Sequence, residues 1–298
     1  MMDITLLDGS IGQEIMKRSG DTPTPLWSTR VMIDHPNLLD EIHLEYFKAG
    51  ATVATTNTYA VLRDRLRMVD IEDQFGLLTE NAVKSANQAV ALHGSGRVAG
   101  SIGPLKASYR PDICPPADEA AAIYAEHVTL MKDHVDLFLL ETMSSVDQAK
   151  GGLLATVKQD KPVWIGVTVN DDDGTKLRSG ENLIDLQPLF DSFPPDAVLV
   201  NCSRPEAVTQ ALDIVSGFGL PFGAYANGFT RISEGFLQVA PTVDQLTERT
   251  DLGPEAYAKF VMHWVDQGAT IVGGCCEVGP AHIAEVARAL NEAGHRIV

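Results

Sequence analysis

Cysteine and cationic side chains are both scarce in this chain. Four of its 298 residues are cysteine, and 23 lysines and arginines stand against 40 aspartates and glutamates, which gives a formal net charge of −17. Proteins that bind nucleic acids neutralise phosphates with clustered basic residues, so this composition argues against a nucleic-acid partner. A chain of this length buries a core without disulfides or a structural metal. Any bound metal is therefore expected to serve function.

Long apolar runs are missing as well. No stretch reaches the roughly 18 consecutive apolar residues of a membrane-spanning helix. The opening residues, MMDITLLDGS, carry acids where a secretory signal has a basic segment. These absences predict a cytoplasmic protein with no membrane partner. Since the cytosol is reducing, paired cysteines there indicate metal or redox chemistry more than a stabilising disulfide.

Short apolar runs alternate with helix-like segments along the chain. The runs are nearly continuous and often β-branched, which is typical of parallel strands buried on both faces. They cover residues 4–10, 51–59, 97–104, 136–142, 162–170, 197–203, 221–227 and 269–276. Apolar residues three and four apart predict helices over about 37–49, 75–93, 117–133, 144–158, 183–191, 205–216, 254–267 and 280–290.

Strict alternation of eight strands and helices predicts an α/β fold with parallel pairing and right-handed crossovers. The chain length suits a (β/α)8 barrel, and no linker-like segment divides it, so we expect one domain over residues 1–298. An open α/β sheet is the alternative, because a strand count does not prove closure.

Polar residues cluster at the predicted carboxyl ends of the strands, which is where (β/α)8 barrels place their active sites. These residues are Asp8, Asn57, Thr58, Gly103, Glu141, Asn170, Cys202, Asn227, Cys275 and Cys276. They include three of the four cysteines and two carboxylates. Such a set predicts a functional site at this end of the barrel.

The cysteines at these ends favour a zinc site. Zinc binds thiolates in tetrahedral geometry, and a catalytic zinc keeps one position open. Because adjacent strand residues point to opposite faces, Cys275 and Cys276 can bind one ion only if the backbone bends, and Gly273 and Gly274 permit a bend. The alternative is three small buried hydrophobic side chains. A disulfide between the two neighbours is disfavoured by its strain.

These motifs resemble those of the homocysteine S-methyltransferase family, zinc-dependent barrels that make methionine from homocysteine and a methyl donor. The resemblance covers essentially the whole chain. LLDGSIGQEI is similar to the family's opening Asp-Gly-Gly motif, TTNTY to its second-strand motif and LLET to the end of its fourth strand. VNCS and GGCC resemble its two zinc motifs, and this pair is the most specific signal.

The resemblance implies a role for each matching residue. Cys202, Cys275 and Cys276 would hold Zn2+, and the substrate thiolate on zinc would be the nucleophile, so no other catalytic group is predicted. Asp8 and Glu141 would lie near the amino group of homocysteine. The alternatives are a turn cap for Asp8 and an ion pair for Glu141.

Other matching residues would complete the substrate pocket. The amides around Gly9 and Ser10 would lie near the homocysteine carboxylate. Asn57 and Asn227 would line the pocket, or else satisfy loop backbone groups. Thr142 would contact the donor, or else serve as an ordinary strand residue.

Two departures from the family pattern bear on the methyl donor. Ser10 replaces the second glycine of the opening motif, and Glu277 follows the cysteines where relatives more often carry Arg or Gly. A carboxylate there favours a cationic donor, S-methylmethionine or S-adenosylmethionine, unless Glu277 faces solvent or caps the last helix. The segment 228–253 is long for a connection and is expected to cover the pocket and set donor specificity.

Several alternatives stand beside this interpretation. The same fold could use a betaine-type donor, methylate another thiol or selenol, or bind zinc or a sulfur amino acid without catalysis. A zinc hydrolase would need His-rich ligands, which the strand ends lack. A dithiol redox protein would leave Cys202 unexplained. Cys114 is expected to be a bystander, and without an added assembly arm the chain is expected to be a monomer.

Overall fold

The computed structural model describes residues 1–21, 28–35, 37–237 and 245–298. Its centre is a sheet of parallel strands. In chain order these are β1 Asp3–Leu6, β2 Val53–Thr55, β3 Arg97–Ile102, β4 Leu137–Met143, β5 Val163–Val167, β6 Ala197–Asn201, β7 Phe222–Ala226, β8 Ile271–Gly274 and β9 Arg296–Ile297. Each strand from β1 to β8 lies inside one of the predicted apolar runs or within one residue of it.

The sheet closes on itself. Its strand order is β2-β3-β4-β5-β6-β7-β8-β1-β9, and every ladder is parallel. A parallel bridge between Leu7 and Val53 then brings β1 against β2, and the Thr52 amide donates to the Leu6 carbonyl at 2.7 Å. The (β/α)8 barrel prediction is therefore confirmed, and the open sheet is excluded by the contact between β1 and β2.

Helices surround the barrel. They are α1 Ile11–Ser19, α2 Ser28–Asp34, α3 Leu38–Lys48, α4 Arg63–Arg67, α5 Phe75–His93, α6 Ala117–Met131, α7 Val146–Thr156, α8 Gln187–Ser192, α9 Pro205–Val215, α10 Pro254–Asp266 and α11 Pro280–Glu292. The eight predicted helices correspond to α3 and to α5–α11. The helices α1, α2 and α4 were not predicted from the sequence. The last two, with seven and five residues, are too short to show a repeating apolar stripe.

Two apolar layers hold the barrel together. Inside it, Leu7, Leu139 and Trp164 belong to one buried cluster. Between the sheet and the helices a much larger cluster forms the main core. All seven residues of β4 are buried, as expected for a strand covered on both faces.

The short strand β9 was not predicted. It pairs with β1 through Asp3 and Ile4, and the Thr52 hydroxyl donates to the Val298 carbonyl at 2.7 Å. Two residues are too few for a periodic signal. Among the residues that the structure describes, none of the helices has the length and apolar character needed to cross a membrane.

The tight packing of β7 against β8 gives a stability prediction. A Cβ on Gly223 would lie 1.7 Å from the Ile271 carbonyl oxygen, whereas one on Gly76, in the first turn of α5, would meet no atom within 4 Å. We expect Gly223→Ala to lower the free energy of unfolding by at least ~1–3 kcal/mol. Gly76→Ala should be neutral or stabilising by up to ~1 kcal/mol. Urea unfolding of both variants tests this, and equal stability would contradict it.

Candidate active site

A cavity of about 850 Å3, including its open mouth, lies at the carboxyl ends of the strands. Residues that follow or end every barrel strand except β5 line it. Among the predicted site residues, the cavity is lined by Asp8, Gly9, Ser10, Asn57, Glu141, Cys202, Cys275 and Cys276. Thr142 and Asn227 are buried but are not part of the lining. Six of the ten predicted strand-end residues therefore line one continuous pocket, whereas Thr58, Gly103, Asn170 and Asn227 do not.

The cavity brings the three predicted cysteines together. Cys202 and Cys275, 73 residues apart in sequence, have Cα atoms 5.8 Å apart and are joined as a disulfide in this structure. Cys276 is free and lines the same cavity. The neighbouring cysteines are therefore not bonded to each other. Cys114 lies outside the cavity lining, in agreement with its expected role as a bystander.

The donor set at these cysteines fits a soft divalent metal. With Cys202 and Cys275 paired, the described part of the chain contains no group of three side chains poised to hold an ion. Burial, followed by the charges of Glu277 and Glu141, raises the pKa of the Cys276 thiol to about 12. A thiol in such surroundings loses its proton only beside a strong positive charge. Three sulfurs gathered in one acidic cavity match zinc among the common metals.

The backbone bends after Cys275 and not at the glycines before it. The Cys275 amide continues the β7 pairing by donating to Ala226, and the Val278 amide then closes a tight turn onto Cys275 at 3.1 Å. Glu277 within this turn has a φ of 65°. The expected bend at Gly273 and Gly274 is therefore wrong. Both belong to β8, where their missing side chains allow close packing against Leu7 and Val278.

Cys202 is held by its neighbour. The Asn201 side-chain amide lies 3.4 Å from the Cys202 sulfur, and its oxygen accepts a hydrogen bond from the Thr142 amide at 3.1 Å. Both Cys202 and Thr142 have left-handed backbones, with φ of 49° and 60°. Thr142 therefore supports the end of β6 from behind the cavity wall.

Two buried carboxylates face the cavity, and neither forms an ion pair with another described residue. Asp8 accepts from the Thr55 amide at 2.6 Å and from the Thr55 hydroxyl at 2.8 Å. Burial nonetheless raises the pKa of Asp8 to about 8. Because Thr55 lies on another strand, Asp8 does not act as a local turn cap.

Glu141 accepts from the hydroxyls of Ser101 and Tyr225, and burial raises its pKa to about 7. Among the described residues no lysine, arginine or histidine forms an ion pair with it. The site therefore offers negative charge that a positively charged ligand group would stabilise.

The opening Gly-Ser pair places the start of α1 at the cavity. A Cβ on Gly9 would lie 2.0 Å from the Val278 carbonyl oxygen, so this position requires glycine. The Ser10 amide donates to that same carbonyl at 3.0 Å and is thus already engaged. The Ser10 side chain does not cap the helix, and Gly12 and Gln13 of the first turn line the cavity. The positive end of the helix dipole therefore faces the pocket.

Glu277 is tied to α1. Its carboxylate accepts from the Gln13 amide at 2.7 Å and from Lys17 at 2.6 Å, and its backbone amide donates to the Gln13 side-chain oxygen at 2.5 Å. Glu277 does not belong to the cavity lining. Its charge is compensated by Lys17, so the carboxylate fastens the cysteine turn to α1 and does not face a ligand directly.

The two predicted asparagines are bonded within the protein. Asn57 lines the cavity while its side-chain oxygen accepts from the Ser28 hydroxyl at 2.7 Å. Asn227 donates its backbone amide to the Ser203 carbonyl at 2.9 Å. Both therefore help to hold the loops that form the pocket.

Sequence reasoning missed several lining residues, including Gln13, Tyr59, Ser101, Tyr109 and Tyr225. A signal existed for two of them. Ser101 and Tyr225 are polar side chains near the ends of otherwise apolar strands, and polar groups at the carboxyl ends of barrel strands indicate the active site. Tyr59 and Tyr109 follow their strands in irregular loops, where no periodicity applies.

Part of the segment 228–253 lies over the sulfur end of the cavity, and we call its residues 228–237 the cover. Phe236 packs in one cluster with Cys202 and Tyr109, and its ring centre is 6.0 Å from that of Tyr109. The prediction that this segment covers the pocket also included residues 238–244, which lie outside the described part of the chain.

Sequence comparisons with known proteins agree on one family. A sequence model of the homocysteine S-methyltransferase family matches residues 5–290. Homocysteine S-methyltransferase of Escherichia coli (strain K12) is 29% identical, with 95% of this chain and 94% of that protein covered. Selenocysteine Se-methyltransferase of Brassica oleracea var. italica is 24% identical, with 96% and 88% covered.

Solved structures agree with the sequence comparison. The metallated form of the homocysteine methyltransferase MmuM from Escherichia coli superposes with a TM-score of 0.79 at 28% identity and covers 96% of both chains. The oxidized form of the same enzyme gives a TM-score of 0.80 at 27% identity, covering 98% of this chain and 97% of that chain.

The raised pKa of Glu141 predicts how stability depends on pH. The unfolded chain ionises this group at its ordinary pKa of 4.5, and the folded protein at a pKa of about 7, so folding is increasingly opposed as pH rises between these values. Glu141→Gln keeps hydrogen bonds to both hydroxyls, because each can donate or accept. We expect the variant to be more stable than the parent by ~1–3 kcal/mol at pH 8 and nearly unchanged at pH 4.5.

Urea unfolding of the ligand-free, metal-free reduced protein at both pH values tests this expectation. Glu80→Gln, on the exposed face of α5, is the matched control and should change stability little at either pH. A Glu141→Gln variant that is destabilised equally at both pH values would contradict the assignment of a costly buried charge.

Proposed function

The chain belongs to the homocysteine S-methyltransferase family, and we propose that it transfers a methyl group from a small cationic donor to the sulfur of L-homocysteine in a zinc-dependent reaction that yields methionine. The observation that carries the proposal is the meeting of Cys202, Cys275 and Cys276 in one cavity beside two uncompensated buried carboxylates. This arrangement supports an acceptor that brings both a thiol and an ammonium group.

Asp8 and Glu141 would hold the ammonium group of homocysteine. Each carboxylate already accepts hydrogen bonds from hydroxyl or amide donors, but within the described part of the chain it has no cation to balance its charge. An ammonium group in this position lowers the pKa of both acids and offsets their desolvation. The homocysteine carboxylate would lie at the start of α1, where Gly12 and Gln13 of the first turn line the pocket.

Cys202, Cys275 and Cys276 would hold Zn2+. Zinc bound by three thiolates supplies a Lewis acid that keeps the sulfur of the acceptor deprotonated at neutral pH. Asn201 would orient Cys202 through its amide contact with the sulfur. The turn fastened by Glu277 and Gln13 would orient the adjacent cysteines. Since the acceptor sulfur is already deprotonated, no side chain needs to act as a general base.

The lining favours a sulfonium donor, S-methylmethionine or S-adenosylmethionine. None of the described residues that line the cavity is lysine or arginine, and the rings of Tyr59, Tyr109 and Tyr225 form part of its wall. Aromatic faces and buried carboxylates attract a cation. When a methyl group passes from a sulfonium to an anionic sulfur, both charges disappear, and a water-poor cavity favours that change. Because Lys17 neutralises Glu277, the preference for a sulfonium donor rests on the residues that line the cavity and not on Glu277.

Related reactions remain as alternatives within the same site. A betaine-type donor carries a cation but adds a carboxylate that needs its own partner. One relative is named a selenocysteine Se-methyltransferase, so a selenol acceptor belongs in the assays. A descendant that only binds its ligand would show binding without turnover. We also propose that the enzyme is a cytoplasmic monomer that acts on small molecules.

Metal analysis of a cysteine variant tests zinc dependence. We expect the parent protein, purified under reducing conditions, to carry about one zinc per chain. Cys202→Ser should lose most of this metal and at least ~100-fold in kcat/KM for methionine formation, because the remaining thiolates bind zinc weakly. Cys114→Ser, outside the cavity lining, should keep both. A metal-free but active parent, or an unimpaired Cys202→Ser variant, would rule out the mechanism.

Donor competition tests the preference for a sulfonium. We expect kcat/KM to be higher for S-methylmethionine or S-adenosylmethionine than for betaine by at least ~10-fold, equivalent to about 1.4 kcal/mol. Phe236→Ala should raise the KM for the donor more than that for homocysteine, because Phe236 belongs to the cover. Phe218→Ala, a buried ring packed on Phe190, is the control for general loss of packing. Equal rates with betaine would contradict the donor assignment.

A further inference from the structure

A buried ion pair lies directly behind the cavity wall and takes no part in the chemistry described above. Arg178 and Asp171 both belong to the connection that follows β5, and their side chains are 11% and 9% exposed. The guanidinium nitrogens donate to the two carboxylate oxygens at 2.9 and 3.2 Å. In every other ion pair formed by described residues, at least one partner is more exposed.

Burying such a pair is costly, and its replacement by apolar residues is often neutral or stabilising. A contribution to stability alone therefore does not explain why this ion pair is buried here. Its further contacts are more informative, because they reach three separate parts of the active site.

Arg178 supports the backbone of Cys202. A guanidinium N–H donates to the Cys202 carbonyl at 3.3 Å, and another donates to the Thr168 hydroxyl at 3.1 Å. The same hydroxyl lies 3.2 Å from the Cys202 carbonyl. Cys202 has a left-handed backbone with a φ of 49°, which a residue with a Cβ adopts only when its surroundings impose it. Arg178 is one of the groups that hold it there.

Arg178 also supports the cavity wall. Its guanidinium carbon lies 4.7 Å from the ring centre of Tyr109, a geometry suited to a cation–π contact. Tyr109 lines the cavity, and its ring packs against Phe236 of the cover. One cation thus contacts a proposed metal ligand and the ring on which the cover rests.

Asp171 fastens the cover directly. One carboxylate oxygen accepts from the Ile232 amide at 3.0 Å, and the other accepts from the Arg204 amide at 3.1 Å, just beyond Cys202. Ile232 belongs to the cover, whereas Arg204 precedes α9 on the cysteine side. The Asp171 carboxylate, oriented by Arg178, therefore joins the cover to the segment that follows Cys202.

We propose that Arg178 and Asp171 are positioning residues that couple the cover to Cys202, so that seating of the cover and correct placement of this cysteine depend on each other. The metal-binding role of Cys202 rests on the proposed function, but the coupling itself does not. Loss of Arg178 removes a donor to the Cys202 carbonyl, withdraws support from Tyr109 and leaves Asp171 with a buried, uncompensated charge. Both the cover and the cysteine should then become less ordered.

Arg178→Met, which keeps the length of the side chain without its charge, tests the coupling. We expect zinc to be lost to a chromogenic chelator at least ~10-fold faster than from the parent. We also expect limited chymotrypsin digestion within the cover to be faster by a similar factor. Arg97→Met is the matched control: Arg97 stacks on Trp164 at the opposite end of the barrel and should leave both rates unchanged. The double variant Arg178→Met/Asp171→Asn should show less than the sum of the single effects.

A second readout does not depend on metal. In metal-free reduced protein, we expect Arg178→Met to slow the formation of the Cys202–Cys275 disulfide by oxidised glutathione several-fold, because Cys202 is misplaced. A parent without zinc would refute the proposed function, while the disulfide and digestion rates would still test the coupling. If Arg178→Met does not fold, Arg178→Lys is assayed in its place. A folded variant in which only one of the two regions changes, or neither, overturns the proposal.

Discussion

The hydrogen bonds from Thr55 to the Asp8 carboxylate join the first and second strands where the barrel closes. The backbone pairing between β1 and β2 consists of a single isolated bridge. The Asp8 side chain adds a second connection between the two strands, one step further toward their carboxyl ends. A closed ring of strand ends is what allows residues more than two hundred positions apart to share one cavity. The Asp8 carboxylate that completes the ring is also one of the two acids proposed to bind the acceptor. Closure of the barrel and the proposed ammonium site therefore depend on the same contact between Asp8 and Thr55.

The cavity closed in this way is lined by acidic groups. Asp8 and Glu141 are buried and form no ion pair with another described residue, and the thiol of Cys276 lies near Glu141 and a third carboxylate, Glu277. Each group alone is held in its neutral form by desolvation. The ligands proposed for the site supply the missing charge: an ammonium group, a divalent metal and a sulfonium. Binding energy would thus be used to ionise groups that the empty pocket keeps protonated, which ties occupancy of one subsite to the others.

The sequence was most informative where regular secondary structure determines at which end of the barrel a residue lies. Parallel strands in strict alternation with helices predict a barrel, and a barrel places Asp8, Glu141 and the cysteines at one end whatever their spacing. The same reasoning could not place Thr142, because a register shift in β4 and a left-handed backbone turn it behind the wall. Nor could it locate the bend beside Cys275, because a glycine in a strand can allow either a bend or close packing, and the sequence does not distinguish the two. Gln13 and Arg178 act through contacts between distant segments, which no local pattern records.

β5 is the one barrel strand whose carboxyl end adds no described residue to the cavity lining. Its following connection instead carries the Arg178–Asp171 pair. The ends of seven strands therefore line the cavity, while the connection after the remaining one holds the proposed positioning pair. Substitutions in that connection could alter how the cover is held without changing a residue that lines the cavity.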